Sequence, residues 1–162
     1  MDKLVITKIG KPEPWLIEAA AEIGIDVSEF SHEATSEFLS HTFKRHGNDK
    51  TERARGQIGV TSADIERIPE ILKTPDYAVI GIKRKNETFI VYSKNIGRNA
   101  TIYYEEVLTG KKTKALRSKT MFIKIGILKK EALLNILGSN VLTDISGAKI
   151  VVGTGGQPGV GT

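Results

Sequence analysis

The hydrophobic pattern of this chain changes period once, near Tyr77. Before that point apolar residues recur at three- and four-residue spacing; after it they alternate, as helices and then strands require. Leu4 to Ile9 reads as a short strand or extended arm, ended by Gly10 and Lys11-Pro12-Glu13-Pro14. Trp15–Ile23 places Leu16, Ala19, Ala20 and Ile23 on one helical side, with Pro14 suited to the first turn and Gly24 to the stop. The stretch 31–48, SHEATSEFLSHTFKRHGN, predicts an amphipathic helix with Ser31 as N-cap, Gly47 at its end and an apolar arc of Ala34, Phe38, Leu39, Thr42 and Phe43. Residues 48–59 are polar and predict a loop over a sheet face. Thr61 and Asp64 approximate a capping box for a short helix carrying Ile65, Ile68, Ile71 and Leu72, which Pro69 kinks or restarts.

Four alternating stretches follow, 77–83, 88–94, 101–108 and 115–124, joined by connections short enough to imply an antiparallel meander. A further helix is expected over 129–137, ending at Gly138, and another strand within 141–152. The expected architecture is α+β: N-terminal helices packed on a four-stranded antiparallel β-meander, with an extra C-terminal helix. One sheet face would bury against the helices and the other would be free for a ligand. Residues 1–152 are expected to form a single domain, and 153–162, rich in glycine, a flexible tail.

Composition narrows the function classes. The chain has 162 residues, 40% of them apolar, enough for an ordinary core. A net charge of +5 suits an anionic partner and equally suits a solvated basic surface. Without cysteine there is neither a disulfide nor a thiolate metal site. No apolar run is long enough for a transmembrane helix, and the interrupted N-terminal run is not expected to be a signal peptide. The glycines of GTGGQPG lack the Lys-Ser/Thr and following helix of a P-loop, and neither a serine-hydrolase elbow nor a dinucleotide fingerprint is present.

Candidate chemistry gathers on the helix expected over 31–48, which carries every histidine of the chain. Histidine is the side chain whose ordinary pKa allows proton exchange near neutrality. At about 100° per residue His46 falls within the apolar arc, and His41 lies at its edge beside Phe38 and Arg45. Either could be a general acid or base. His46 is equally well explained as a cation favouring the helix C-terminus, and His41 as a partly buried residue bonded to a carbonyl. Two histidines at i and i+5 point about 140° apart, so they do not readily share a metal ion. Arg53 and Arg55 read as phosphate clamps or as ordinary loop charges. In the strands, Tyr, Lys, Thr and Glu suit nucleotide contacts as well as plain cross-strand pairs.

Several blocks, taken in order, resemble the phage-type branch of the barnase/EndoU/colicin/RelE-like nuclease superfamily, found in phage head-morphogenesis and polymorphic-toxin proteins. They are His41 with KRHG at Lys44–Gly47, RGQI at Arg55–Ile58, TSADIERIPEIL at Thr61–Leu72 and Pro75-Asp76. VYSK at Val91–Lys94, YEEV at Tyr104–Val107 and KTM at Lys119–Met121 complete them. The resemblance covers about residues 14–124. It implies a metal-independent, cofactor-free endoribonuclease in which the ribose 2′-hydroxyl attacks the adjacent phosphate. Carried onto this chain, His46 and His41 would transfer protons, Arg55 and Lys94 would hold the phosphate, and Thr120 would donate a hydrogen bond. Arg53, Lys119 and Tyr92 or Tyr104 would bind substrate, a tyrosine stacking a base. The implied partners are RNA, with tRNA a candidate, and an immunity or antitoxin protein, with action in the cytoplasm after phage or toxin delivery. The alternatives are a non-catalytic nucleic-acid-binding appendage of a phage structural protein and an enzyme acting on a small nucleotide.

Overall fold

A computed structural model describes residues 4–153, whose backbone is organised around one large twisted sheet. Its centre is the expected meander: β4 (Tyr77–Arg84), β5 (Glu87–Ile96), β6 (Asn99–Gly110) and β7 (Thr113–Ile125), each antiparallel to the next. Among the described residues the sheet has nine strands, however, rather than the expected four. β1 (Ile6–Gly10) and β2 (Ser31–Thr35) extend it beyond β7, β3 (Gln57–Ile58) also pairs with β7, and β8 (Thr143–Asp144) and β9 (Lys149–Val152) pair with β4. The glycine-rich tail expected after Val152 lies, from residue 154 on, outside the described residues.

The helices are not confined to the N-terminal side in the expected way. α1 (Pro14–Ala21), α2 (Ser36–His46), α3 (Asp49–Arg53), α4 (Ser62–Glu66) and α5 (Ile68–Lys73) are interleaved with β1–β3, and α6 (Lys130–Gly138) follows the meander. The capping box holds: Asp64 Oδ2 accepts the Thr61 N–H at 2.8 Å. Pro69 separates α4 from α5, since it cannot donate within a continuous helix.

Two expectations upstream fail for the same reason, the demand of β7 for neighbours. Ser31 does not cap a helix. Residues 31–35 form β2, parallel to β7 with His32 opposite Leu116, and antiparallel to β1. The helix starts only at Ser36, capped by Thr35, whose Oγ1 accepts the Phe38 N–H at 2.9 Å. Likewise 48–59 is not a plain loop. Asn48 caps α3 by accepting the Thr51 N–H, and Gln57-Ile58 add to the β7 edge.

Both faces of the sheet are covered, which corrects the expectation of one free face. On one side α1, α2 and α5 pack Leu16, Phe38 and Ile71 against Ile90, Tyr92, Tyr103 and Leu116. Phe38 meets Tyr103 edge-on at 6.0 Å, and Trp15 meets Tyr92 at 6.3 Å. On the other, Leu133 and Leu137 of α6 cover Val79, Ile82, Phe89 and Val91. Burying each such side chain contributes about 1.5–3 kcal/mol.

The first core contains one ionic centre. Glu105 is fully buried; His32 Nδ1 lies 2.7 Å from its Oε2, and Tyr92 donates to its Oε1 at 2.6 Å. Burial and this carboxylate push the Tyr92 hydroxyl well above its usual range.

The strand faces follow simple alternation except where the register shifts. Tyr104 faces Thr120 and Glu105 faces Ser118, so Lys119 is an extra residue on β7. Such a bulge bends the strand and re-aims side chains. It explains why Leu116 and Met121, which strict alternation over five residues would put on opposite faces, share one core.

Candidate active site

A cavity of about 480 Å³ opens between α2 and the bulged part of β7. The four consecutive residues Arg117, Ser118, Lys119 and Thr120 all line it. A regular strand would turn every second one away, and the bulge at Lys119 removes that alternation. From the other side α2 contributes His41, Arg45 and His46, and the ends of β4 and β6 contribute Arg84 and Glu106. The size falls within the roughly 300–1,000 Å³ common for small-ligand sites.

His46 occupies the last turn of α2 and is held on two sides. Its ring tilts over Phe122 at a centroid distance of 5.8 Å. Its Nδ1 lies 3.2 and 3.3 Å from the carboxylate oxygens of Glu52, a residue on α3 with no exposed surface. With Nδ1–H donating to Glu52, the lone pair is left on Nε2, the arrangement of a general base. Gly47 makes the connection to α3 possible, because a Cβ there would collide with the Phe43 carbonyl oxygen.

His41 is more exposed, and its pKa is lowered. Partial burial is the first cause, followed by the positive charges of Arg45, His46 and Lys119, with Glu37 opposing them. Glu106 moves the other way: burial and Glu87 push its carboxyl up, while Lys119 opposes the change. Lys119 Nζ lies 3.4 Å from Glu106 and 4.0 Å from Glu87. Arg117 is fixed by Glu33 at 2.9 Å. Among the described residues Arg45 and Arg84 have no ion-pair partner, so two guanidinium groups stand ready for an anion.

Of the residues singled out from sequence, His41, His46, Lys119 and Thr120 meet in this cavity, on which both histidines border despite their i, i+5 spacing. The others do not line it. Arg53 pairs with Asp49 at 2.7 Å on the surface of α3. Arg55 lies 3.6 Å from Glu52, so it neighbours the His46 partner instead of a phosphate. Lys94 is turned to Thr74, donating to its carbonyl at 2.6 Å, and cannot serve as the expected phosphate ligand there. Tyr92 is fully buried with its hydroxyl on Glu105, so it offers no ring face to a base. Tyr104 is half-buried beside Phe122 at 6.2 Å, and burial pushes its hydroxyl up to about 12.

Sequence reasoning missed Glu52, Arg84, Glu106 and Arg117. Nothing separates Glu52 from the solvated charges of its NDKTER segment, and Arg84 looks like a turn residue.

Comparison with known proteins gives one positive result. The family model described as phage-Barnase-EndoU-ColicinE5/D-RelE like nuclease 3 matches residues 10–131. No curated protein and no solved structure matches.

Proposed function

Because the chain belongs to the phage-Barnase-EndoU-ColicinE5/D-RelE like nuclease 3 family, we propose that it is an endoribonuclease that cuts RNA without a metal ion. The observation that carries this reading is the cavity that collects two histidines with the unpaired Arg45 and Arg84.

In the proposed reaction His46 Nε2 takes the proton of the ribose 2′-hydroxyl, with Glu52 fixing the ring and its tautomer. The 2′-oxygen forms a bond to phosphorus, the bond from phosphorus to the 5′-oxygen breaks, and a cyclic phosphate is left. Arg84, Arg45 and Lys119 face the phosphoryl oxygens, which gain charge in the transition state. His41 gives the departing 5′-oxygen its proton. Burial is the first cause of its lowered pKa and the neighbouring positive charges the second, and a phosphate that pairs with Arg45 and Lys119 would offset the second.

RNA as substrate, toxin delivery with action in the cytoplasm, and neutralisation by an immunity protein belong to the same proposal. The test is incubation of the protein with total RNA in EDTA, followed by end-group analysis. Cyclic phosphate ends that vanish in a folded His46→Ala variant are expected. Full activity of that variant would overturn the role of His46; salt-sensitive RNA binding with no cut ends would make the domain a binding module.

A further inference from the structure

Beyond Lys119 a second cavity of about 240 Å³ shares Arg84, Lys119 and Thr120 with the first. Its walls are Phe89 and Tyr104 from the sheet, Ile136 and Leu137 from α6, and Asn140 and Thr143 after it. Those last four residues lie past residue 131, where the family match ends, so this chain's own C-terminal segment closes the space. A line of rings connects the two cavities: His46 on Phe122 at 5.8 Å, and Phe122 on Tyr104 at 6.2 Å.

The volume is below the roughly 300–1,000 Å³ of drug-sized sites, which suits one heteroaromatic ring and excludes a whole nucleotide. The chemistry is that of a flat ring with polar edges. Aromatic and aliphatic side chains supply surfaces for its faces. At the edges stand the Glu87 carboxylate, an acceptor, and the Asn140 amide, whose Oδ1 accepts the Leu142 N–H at 2.9 Å and leaves Nδ2 free to donate. Thr120 Oγ1, on the shared wall, is buried and has no hydrogen-bond partner among the described residues. Lys119 lies between the cavities, with Glu106 on the first and Glu87 on the second.

We infer that this second cavity takes the base of a nucleotide next to the scissile phosphate, and prefers bases with an exocyclic amino group. A carboxylate accepts hydrogen bonds and gives none. Adenine, cytosine and guanine present an amino group to it, whereas the one N–H of uracil sits between two carbonyl oxygens that a carboxylate repels. The inference rests on the first cavity being the phosphate site of a ribonuclease.

The experiment is an NMR titration of the full chain with inorganic phosphate, the four nucleosides and the four nucleoside 3′-monophosphates. Phosphate is expected to shift signals of the first cavity, His41, Arg45, Arg84 and Lys119 among them, and to leave the walls of the second unmoved. Adenine, cytosine and guanine nucleotides are expected also to shift Tyr104, Ile136, Leu137 and Asn140, and to bind at least about tenfold more tightly than the uracil nucleotide, the worth of one charge-assisted hydrogen bond. Glu87→Gln, which lets the accepting edge also donate, is expected to reduce that preference, and Ile136→Trp, which fills the cavity, to weaken base binding while phosphate binding stays unchanged. Nucleotides that shift only the phosphate-sensitive signals, or equal affinity for all four bases, would overturn the inference. Failure to cleave RNA would remove the catalytic reading and leave the base titration as an independent result.

Discussion

Glu52 and His46 form a pair across the α2–α3 turn, the Nδ1 of the partly buried imidazole 3.2 Å from a carboxylate with no exposed surface. A carboxylate is costly to bury unless it accepts hydrogen bonds. Here the acceptor is spent on one ring nitrogen, which directs the other to the cavity.

Glu52→Gln therefore tests whether that pairing serves catalysis. The amide can turn its N–H₂ toward Nδ1 and favour the wrong tautomer. We expect the turnover of RNA to fall about 10²–10⁴-fold, the usual worth of a positioned proton-transfer group, with little change in KM. Steady-state kinetics decide it; a change confined to KM would argue against the base role.

The titration of His41 has a definite sign. Its folded pKa lies below the ordinary 6.5, so the unfolded chain takes up the proton first as pH falls. His41 thus withdraws stability as pH drops from 6.5 to its folded pKa, and nothing further below that. NMR titration should place its midpoint below 6.5. Lys119→Ala and added phosphate should each raise it, and a midpoint indifferent to both would remove the electrostatic account.

Arg84 has no ion-pair partner among the described residues, and its replacement should be felt mainly by a polyanion. Arg84→Ala is expected to weaken RNA binding and to lower the slope of log affinity against log salt by about 0.7, one phosphate contact to a single strand. An unchanged salt slope would place Arg84 outside the RNA path.

Gly81 sits at the β4 bulge with φ of +89°, and a Cβ there would stand 2.6 Å from Ile23 Cδ1. Gly81→Ala should lower stability by about 1–3 kcal/mol through backbone strain and crowding against the α1 side. Denaturant unfolding measures it. Activity below the melting range should persist, since the position does not line the cavity between α2 and β7.

Tyr92→Phe removes one donor from Glu105 and leaves a buried carboxylate short of a bond. A loss of about 1–3 kcal/mol is expected, with RNA affinity unchanged. Weaker RNA binding in a fully folded variant would restore the discarded stacking role.

The meander was legible because its signal is local: each of β4–β7 alternates over enough residues, and short polar joints punctuate them. Asp64 and Pro69 were equally readable, as both act within a turn of where they stand. Ser31–Thr35 was misread because Ser31 fits an N-cap and Ala34 fits the arc; only the parallel edge of β7, remote in sequence, makes the segment a strand. The bulge at Lys119 leaves no trace in the composition of β7, and alternation counted through it reverses the faces beyond. Part of the cavity was hidden with it, since Arg117 and Lys119 could not both be assigned to the same wall as Thr120 by counting.

Because β2 is seated between β1 and β7, a chain still emerging from the ribosome cannot close its cavity. α2 precedes β7 in the chain, and its helix can form from local contacts, whereas strand pairing across such a separation is slow. Until Ala115–Thr120 have been added, β2 has a neighbour only in β1, and His41 and His46 face no opposing wall. The cavity is therefore completed only when the last strand of the meander pairs beside β2.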